Sequence, residues 1–329
     1  MSAIPIVVVG GFLGSGKTTL LRSTLTGDPH TAVIVNEFGA ISLDHRLLRA
    51  SEDRVAVVGG GCACCAKRED LMQVLRELLD DRDRGRNEMR RVVIEMSGLA
   101  DPAPVVFTIA TDPMLRHHFA VERLTVTVDA VNGAHQLGAH AEVAKQILVA
   151  DELVVTKADL VEPEHLEALV ERLCALNPAA TIRAAREGVP DLHPLRDPGA
   201  DTGTARALNG GLAGELGSAH TTDVRTLRVD GAGPVDWVGF AVWLSMLLHT
   251  HGEQVLRVKG LLELDGGALV SINGVQHIVH TPEHLPAERI PDEPPGIVFI
   301  TRGLDTDQLS TSLAAFQRVA RITGGAAAA

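Results

Sequence analysis

The chain has 329 residues, enough for two domains of ordinary size, and 45% of them are hydrophobic. A formal net charge of −12 and an aromatic content of 3%, with no tyrosine, argue against a nucleic-acid partner, which would need a basic surface and stacking platforms. No stretch reaches the ~18 uninterrupted apolar residues of a membrane span, and the first residues pass into a predicted strand without a basic leader, so the expected compartment is the cytoplasm.

The first element is "IPIVVV" (4–9), a short apolar run without alternation, which reads as a buried parallel strand. It feeds Gly11-Phe12-Leu13-Gly14-Ser15-Gly16-Lys17-Thr18, a full match to G-x-x-x-x-G-K-[ST], followed by the predicted helix "KTTLLRSTL". Glycines let backbone N–H groups turn inward around a phosphate, and the helix N-terminus favours an anion. Gly14, Ser15, Gly16, Lys17, Thr18 and Thr19 are therefore the expected phosphate-binding set. Lys17 is placed to reach the β- and γ-phosphates, and the Thr18 hydroxyl to bind Mg²⁺.

Further strands follow in the alternating manner of a parallel α/β sheet: 31–36, 54–58, 90–96, 123–129 and 152–157. Such sheets bind ligands at the carboxyl ends of their strands. After the second strand, Asn36, Glu37, Asp44 and His45 read as a switch segment, or simply as a polar loop. At the end of 90–96, Glu95 reads as an acid of the magnesium shell, and Gly98 as a donor to a γ-phosphate. Lys17, Thr18, Glu95 and Glu37 form the expected catalytic set. At the end of 152–157, Thr156-Lys157-Ala158-Asp159 reads as a guanine site. One carboxylate accepts both N1–H and the exocyclic amine of guanine, whereas adenine offers an acceptor at N1. The Lys157 stem can cover the base. Most GTPases carry Asn where this chain has Thr156.

The strand at 54–58 leads to "GGGCACC" and a predicted amphipathic helix with Leu71, Val74, Leu75, Leu78 and Leu79 on its core face. The chain has four cysteines, and three of them, Cys62, Cys64 and Cys65, lie within four residues. That spacing is not a disulfide framework and fits a reducing compartment. Thiolates near a helix N-terminus, beside Lys67 and Arg68, have lowered pKa values and suit Zn²⁺. Cys62 and Cys64 can share one ion. Cys65 is either a third ligand or directed elsewhere, and Glu37, Asp44 and His45 are conceivable further donors. Low-pKa vicinal thiols also suit a redox switch.

Cys174 lies in the predicted helix "EHLEALVERLCALNP" and reads as core. Residues 197–221, rich in Gly, Ala and short polar residues, read as a flexible linker. Beyond it, one strand, a helix over 234–248, four more strands and a closing helix over 307–320 predict a smaller α+β domain. His277 and His280, three apart on a predicted strand, fall on opposite faces and cannot share an ion. His249 and His251 end a helix, where cationic side chains are favoured. The ending "GGAAAA" reads as a frayed tail.

The chain resembles the CobW-type family of GTP-dependent metallochaperones, within the SIMIBI class of P-loop GTPases. The resemblance rests on "GFLGSGKTTLL", "NEFGA", "GCACC", "EMSGLADP" and "TKAD" in order, and on "VLRVKGLL", "VQHIVH" and "IVFITRGLD" in the C-terminal part. Ala40 replaces an acid of the family pattern, and Met96 stands in a usually hydroxylated slot. The resemblance implies a mostly parallel P-loop NTPase sheet with helices on both faces (1–196), then the linker (197–221) and a CobW-type C-terminal domain (222–323). It implies GTP/GDP, Mg²⁺ and Zn²⁺ (or Co²⁺) as bound species, and a metal-dependent client protein. The implied cycle captures metal in the GTP state and releases it after hydrolysis. A zinc-binding or redox-sensing regulatory GTPase without delivery is the alternative. No Gln or Arg stands out to orient the attacking water, so slow intrinsic turnover is expected, in a monomer or weak homodimer.

Overall fold

The computed structural model of the chain describes residues 3–25, 30–36, 55–58, 64–186, 189–191, 194–196, 223–230, 234–265, 267–285 and 295–327. The expected linker (197–221), Glu37, Ala40, Asp44, His45 and Cys62 lie outside the described residues. The chain divides into two compact units: Met1–Leu176 with Ala180–Arg196, and Asn177–Ala179 with Asp197–Ala329.

The first unit is built on an eight-stranded sheet. Its strands are β1 (Ile4–Gly11), β2 (Thr31–Asn36), β3 (Val55–Val58), β4 (Arg91–Met96), β5 (Phe119–Asp129), β6 (Glu152–Thr156), β7 (Thr181–Arg186) and β8 (Val189–Pro190). Their order is β3-β2-β4-β1-β5-β6-β7-β8, and every pairing is parallel except β7–β8. Ile6, Val7, Val8 and Val9 are all buried. Successive strand residues point to opposite faces, so both faces of the central strand are covered. This is why the strand lacks alternation in sequence.

The helix after β3 is Cys64–Asp83, so Cys64 and Cys65 belong to its first turn rather than to the loop before it. Its Leu71, Leu75 and Leu79 are buried, and Val74 and Leu78 are half-buried. Three connecting helices, Ala103–Thr111, Gly133–Ala139 and Ala141–Val149, have no counterpart in the sequence reading. The first carries buried Val105, Val106 and Ile109, whose β-branching obscures the helical signal. Cys174, on helix Pro163–Leu176, is half-buried between the core residues Leu173 and Leu176.

The second unit holds an antiparallel sheet of β9 (Val224–Asp230), β10 (Val255–Glu263), β11 (Leu269–Val275), β12 (Ile278–Val279), β13 (Glu283–Leu285) and β14 (Gly296–Arg302). The order is β12-β11-β10-β14-β9, with β13 also paired to β11. Helices Trp237–His251 and Thr306–Ala327 supply Phe240, Trp243, Leu244, Leu309 and Leu313 to a core with Val258, Ile272 and Phe299 of the sheet. Trp243 meets Phe299 edge-on at 5.6 Å and donates its indole N–H to Ser312 Oγ at 2.9 Å, so the buried ring keeps a polar partner.

Two expectations are corrected here. Residues 275–280 are not one strand: β11 and β12 form a hairpin with Gln276 and His277 at its tip, and Gln276 has φ of 51°. His277 Nδ1 instead lies 3.2 Å from the Leu248 carbonyl at the end of helix Trp237–His251. The closing helix also continues to Ala327, through the Gly-Gly pair assigned to a frayed tail.

Candidate nucleotide site

The site lies at the carboxyl ends of four adjacent strands, β4, β1, β5 and β6. The register sets the neighbours: Val9 opposes Glu95, Gly11 opposes Thr127, and Asp129 opposes Thr156. The loop after β1 follows the expected glycine logic at two positions. Gly11 has φ of 137°, and a Cβ there would lie 2.7 Å from the Thr127 carbonyl oxygen. Gly16 has φ of 88° against Thr156. Ser15 is buried, and its hydroxyl pairs with Thr127 Oγ1 at 2.6 Å while its N–H closes a turn on Phe12 O. Its side chain therefore shapes the loop from beneath. Thr19 is exposed on helix Lys17–Leu25.

The charged groups converge. The Lys17 ammonium donates to the carbonyls of Gly11 (2.8 Å) and Phe12 (3.0 Å), within the loop itself. The Thr18 hydroxyl donates to Glu95 Oε1 at 2.9 Å, and Glu95 is 6% exposed. A hydroxyl and a carboxylate side by side are hard oxygen donors of the kind Mg²⁺ takes. Met96, in the slot usually hydroxylated, is buried in the core. Gly98 presses on the loop from the β4 side: a Cβ at that position would meet the Leu13 backbone N at 2.7 Å.

The expected guanine-reading segment sits beside the loop. Thr156 is 5% exposed and donates its hydroxyl to Ser15 O at 2.7 Å, so the residue standing where Asn is usual ties β6 to the phosphate loop. Lys157 leaves the strand with φ of 57° and donates to Gly14 O at 3.0 Å. Asp159 follows on the short 3₁₀ turn Ala158–Leu160 and is exposed.

Asp129 is the site residue that the sequence reading missed. It is 1% exposed and accepts Lys157 Nζ at 2.6 Å, Val131 N at 2.8 Å, Asn132 N at 3.3 Å and Asn132 Nδ2 at 3.1 Å. Burial opposes its charge. The hydrogen bonds from Lys157, Asn132 and Val131, and the Lys157 charge, outweigh burial and hold the carboxyl below its usual range. The available signal was the alternation in "TVTVD": Thr125, Thr127 and Asp129 share one face of β5, where Thr127 meets Ser15 of the loop and Asp129 meets Lys157 at the end of β6.

The structure thus brings together Gly14, Ser15, Gly16, Lys17, Thr18, Glu95, Gly98, Thr156 and Lys157. Of the metal set, Cys62 lies outside the described residues, and Cys64 and Cys65 are described only as backbone of their helix. Among the described residues, no group of three or more His, Cys, Asp or Glu is arranged to hold a metal ion.

Comparison with known proteins agrees with this geometry. The model of the CobW/HypB/UreG nucleotide-binding domain matches residues 5–184, and that of the cobalamin synthesis protein cobW C-terminal domain matches residues 224–317. The chain is 31% identical over 269 residues to the zinc chaperone YjiA of Escherichia coli (strain K12), covering 81% of this chain and 84% of that protein. It is 30% identical over 192 residues to the zinc-regulated GTPase metalloprotein activator 1 of Schizosaccharomyces pombe, covering 55% and 46% respectively. The crystal structure of Zn(II)-bound YjiA GTPase from E. coli matches with a TM-score of 0.67 at 25% identity, over 96% of this chain and 99% of that one. With a nucleotide-binding module over more than half its length and the companion C-terminal module after it, the chain belongs to the CobW/HypB/UreG family.

Proposed function

We propose that this protein is a GTP-hydrolysing metallochaperone, which takes up zinc, or cobalt, at Cys62, Cys64 and Cys65 and passes it to a metal-dependent client under control of the bound nucleotide. The GTPase part follows from the phosphate loop, the Thr18–Glu95 pair and the family. Thr18 and Glu95 would hold Mg²⁺, which supplies charge neutralisation between the β- and γ-phosphates. Lys17 would bind the same phosphates, Asp159 and Lys157 the guanine, and Gly98 and Glu37 the γ-phosphate side.

The observation that carries the metal reading is the place of the cysteine-bearing helix. Cys64 and Cys65 open helix Cys64–Asp83 after β3, which is parallel to β2 in the sheet whose β1 bears the phosphate loop. A nucleotide on the phosphate loop and a metal held by the cysteines would then share one edge of one sheet, where a switch segment between β2 and β3 would respond to both. The zinc-chaperone names of the relatives support the same cargo. The C-terminal domain would present the client-binding surface.

The test is a zinc titration of the reduced protein against a competing chelator, with Mg²⁺ and either GDP or a non-hydrolysable GTP analogue. Tighter zinc binding with the analogue, lost in Cys62→Ser/Cys64→Ser, supports nucleotide-gated capture. Equal affinity in both states removes the coupling that a release cycle requires. It would leave the regulatory or redox reading of the thiols.

A further inference from the structure

Gln146 is a buried polar residue with no part in the chemistry above. It lies on helix Ala141–Val149 at 1% exposure, beside the buried Ile147, Leu148 and Val149. Its Nε2 donates to two backbone carbonyls, Gly98 O at 3.2 Å and Ala100 O at 2.9 Å. These belong to the turn after β4, closed by Ala100 N on Ser97 O at 3.0 Å. Both neighbours are carbonyls, so only the NH₂ end of the amide suits them. Its Oε1 is buried and accepts no hydrogen bond among the described residues. An unsatisfied buried acceptor costs about 1–3 kcal/mol, so packing alone does not account for a glutamine here.

The opposite side of the same turn rests on the phosphate loop. A Cβ on Gly98 would meet both the backbone N and the Cδ2 of Leu13 at 2.7 Å. The helix that carries Gln146 also reaches the loop directly, because His140, the residue before its first turn, stacks on Phe12 with ring centroids 4.6 Å apart. The turn is therefore gripped between the loop and one amide.

We propose that Gln146 is a positioning residue for the turn Ser97–Ala100, setting the orientation in which Gly98 meets the γ-phosphate; this rests on the GTPase reading given above. Pinning the Gly98 carbonyl fixes the peptide plane beside it, and pinning Ala100 fixes the exit of the turn. The predicted signature is selective. GDP has no γ-phosphate, so its affinity is insensitive to Gln146. The affinity for a GTP analogue and the hydrolysis rate depend on it.

The experiment compares wild type, Gln146→Met and Gln146→Glu. Methionine keeps the volume and loses the donors; the glutamate carboxylate keeps the shape and turns acceptors toward two carbonyls. The readouts are the affinities for GDP and a non-hydrolysable GTP analogue, and amide hydrogen exchange over 97–100 in each nucleotide state. The expected result is a fall of about tenfold in analogue affinity for Gln146→Met. A larger fall is expected for Gln146→Glu, with GDP affinity unchanged and faster exchange in the turn with the analogue bound. Equal losses for GDP and analogue would make Gln146 a structural residue and overturn the proposal. Unchanged affinities would overturn it too. If exchange over 97–100 in wild type is the same with GDP and analogue, the turn does not sense the γ-phosphate, and that underlying reading fails first.

Discussion

The Asp129–Lys157 pair gives a prediction that runs against surface exposure. Lys157 has 37% side-chain exposure and Asp129 has 2%. Asp129→Asn replaces Oδ2, the acceptor of both Lys157 Nζ and Asn132 Nδ2, by an NH₂; the bond to the lysine, the one between two full charges, is worth roughly 1.5–3 kcal/mol when lost outright. The Lys157 ammonium left behind is partly in water and still donates to Gly14 O, so it rehydrates and the expected cost falls to about 1–2 kcal/mol. Lys157→Met leaves a buried carboxylate without its cation. Breaking a buried pair in that direction costs about 3–5 kcal/mol. The donors remaining on Asp129, from Val131 and Asn132, bring the expectation to about 3 kcal/mol. Methionine is as linear as lysine, so the left-handed backbone at φ 57° is burdened similarly by both.

The more exposed partner is thus the costlier one to remove, and the double variant Asp129→Asn/Lys157→Met should cost less than the sum of the two by at least about 1 kcal/mol. Urea unfolding of the four proteins at neutral pH measures this cycle. The pH dependence has a fixed sign. The Asp129 carboxyl is held below its usual range in the fold. The advantage of wild type over Asp129→Asn is therefore fully present above about pH 4, near the ordinary carboxylate value, and is lost as pH falls through the lower folded value. Strict additivity, or a larger cost for Asp129→Asn than for Lys157→Met, would refute the reasoning.

Gly11→Ala should abolish nucleotide binding, because its Cβ would lie 2.7 Å from the Thr127 backbone oxygen, which no rotamer change relieves; a fluorescent guanine nucleotide reads the loss, and binding within about twofold of wild type would contradict the geometry. In the second unit, Asp236 caps helix Trp237–His251 by accepting from Gly239 N at 2.6 Å. Asp236→Ala should lower stability by about 1 kcal/mol without altering GTP hydrolysis, as thermal unfolding and a phosphate-release assay would show together.

The phosphate loop was legible in the sequence because its constraints are local. Turn glycines, a lysine and a hydroxyl at fixed spacing act within one strand–loop–helix unit, and Gly11, Gly16, Lys17 and Thr18 stand where the pattern puts them. The buried parallel strands were legible for a similar reason, since burial on both faces leaves a continuous apolar run. Helix Ala103–Thr111 and the hairpin tip at Gln276–His277 were not, because β-branched residues and a two-residue turn leave weak periodic signals that tertiary packing overrides.

What only the tertiary structure decided is how the strand ends address one another. Thr156 reaches Ser15 across 141 residues, Ser15 meets Thr127 across 112, Thr18 meets Glu95 across 77 and Gln146 holds Gly98 across 48. Each of these bonds depends on the strand order β4-β1-β5-β6 and on its register. That order comes from crossovers that bring distant segments side by side, and no local spacing encodes it. The sequence by itself identified the phosphate-loop pattern and the residues that make it up; the folded sheet determined which buried partners, Asp129 and Gln146 among them, hold those residues in place.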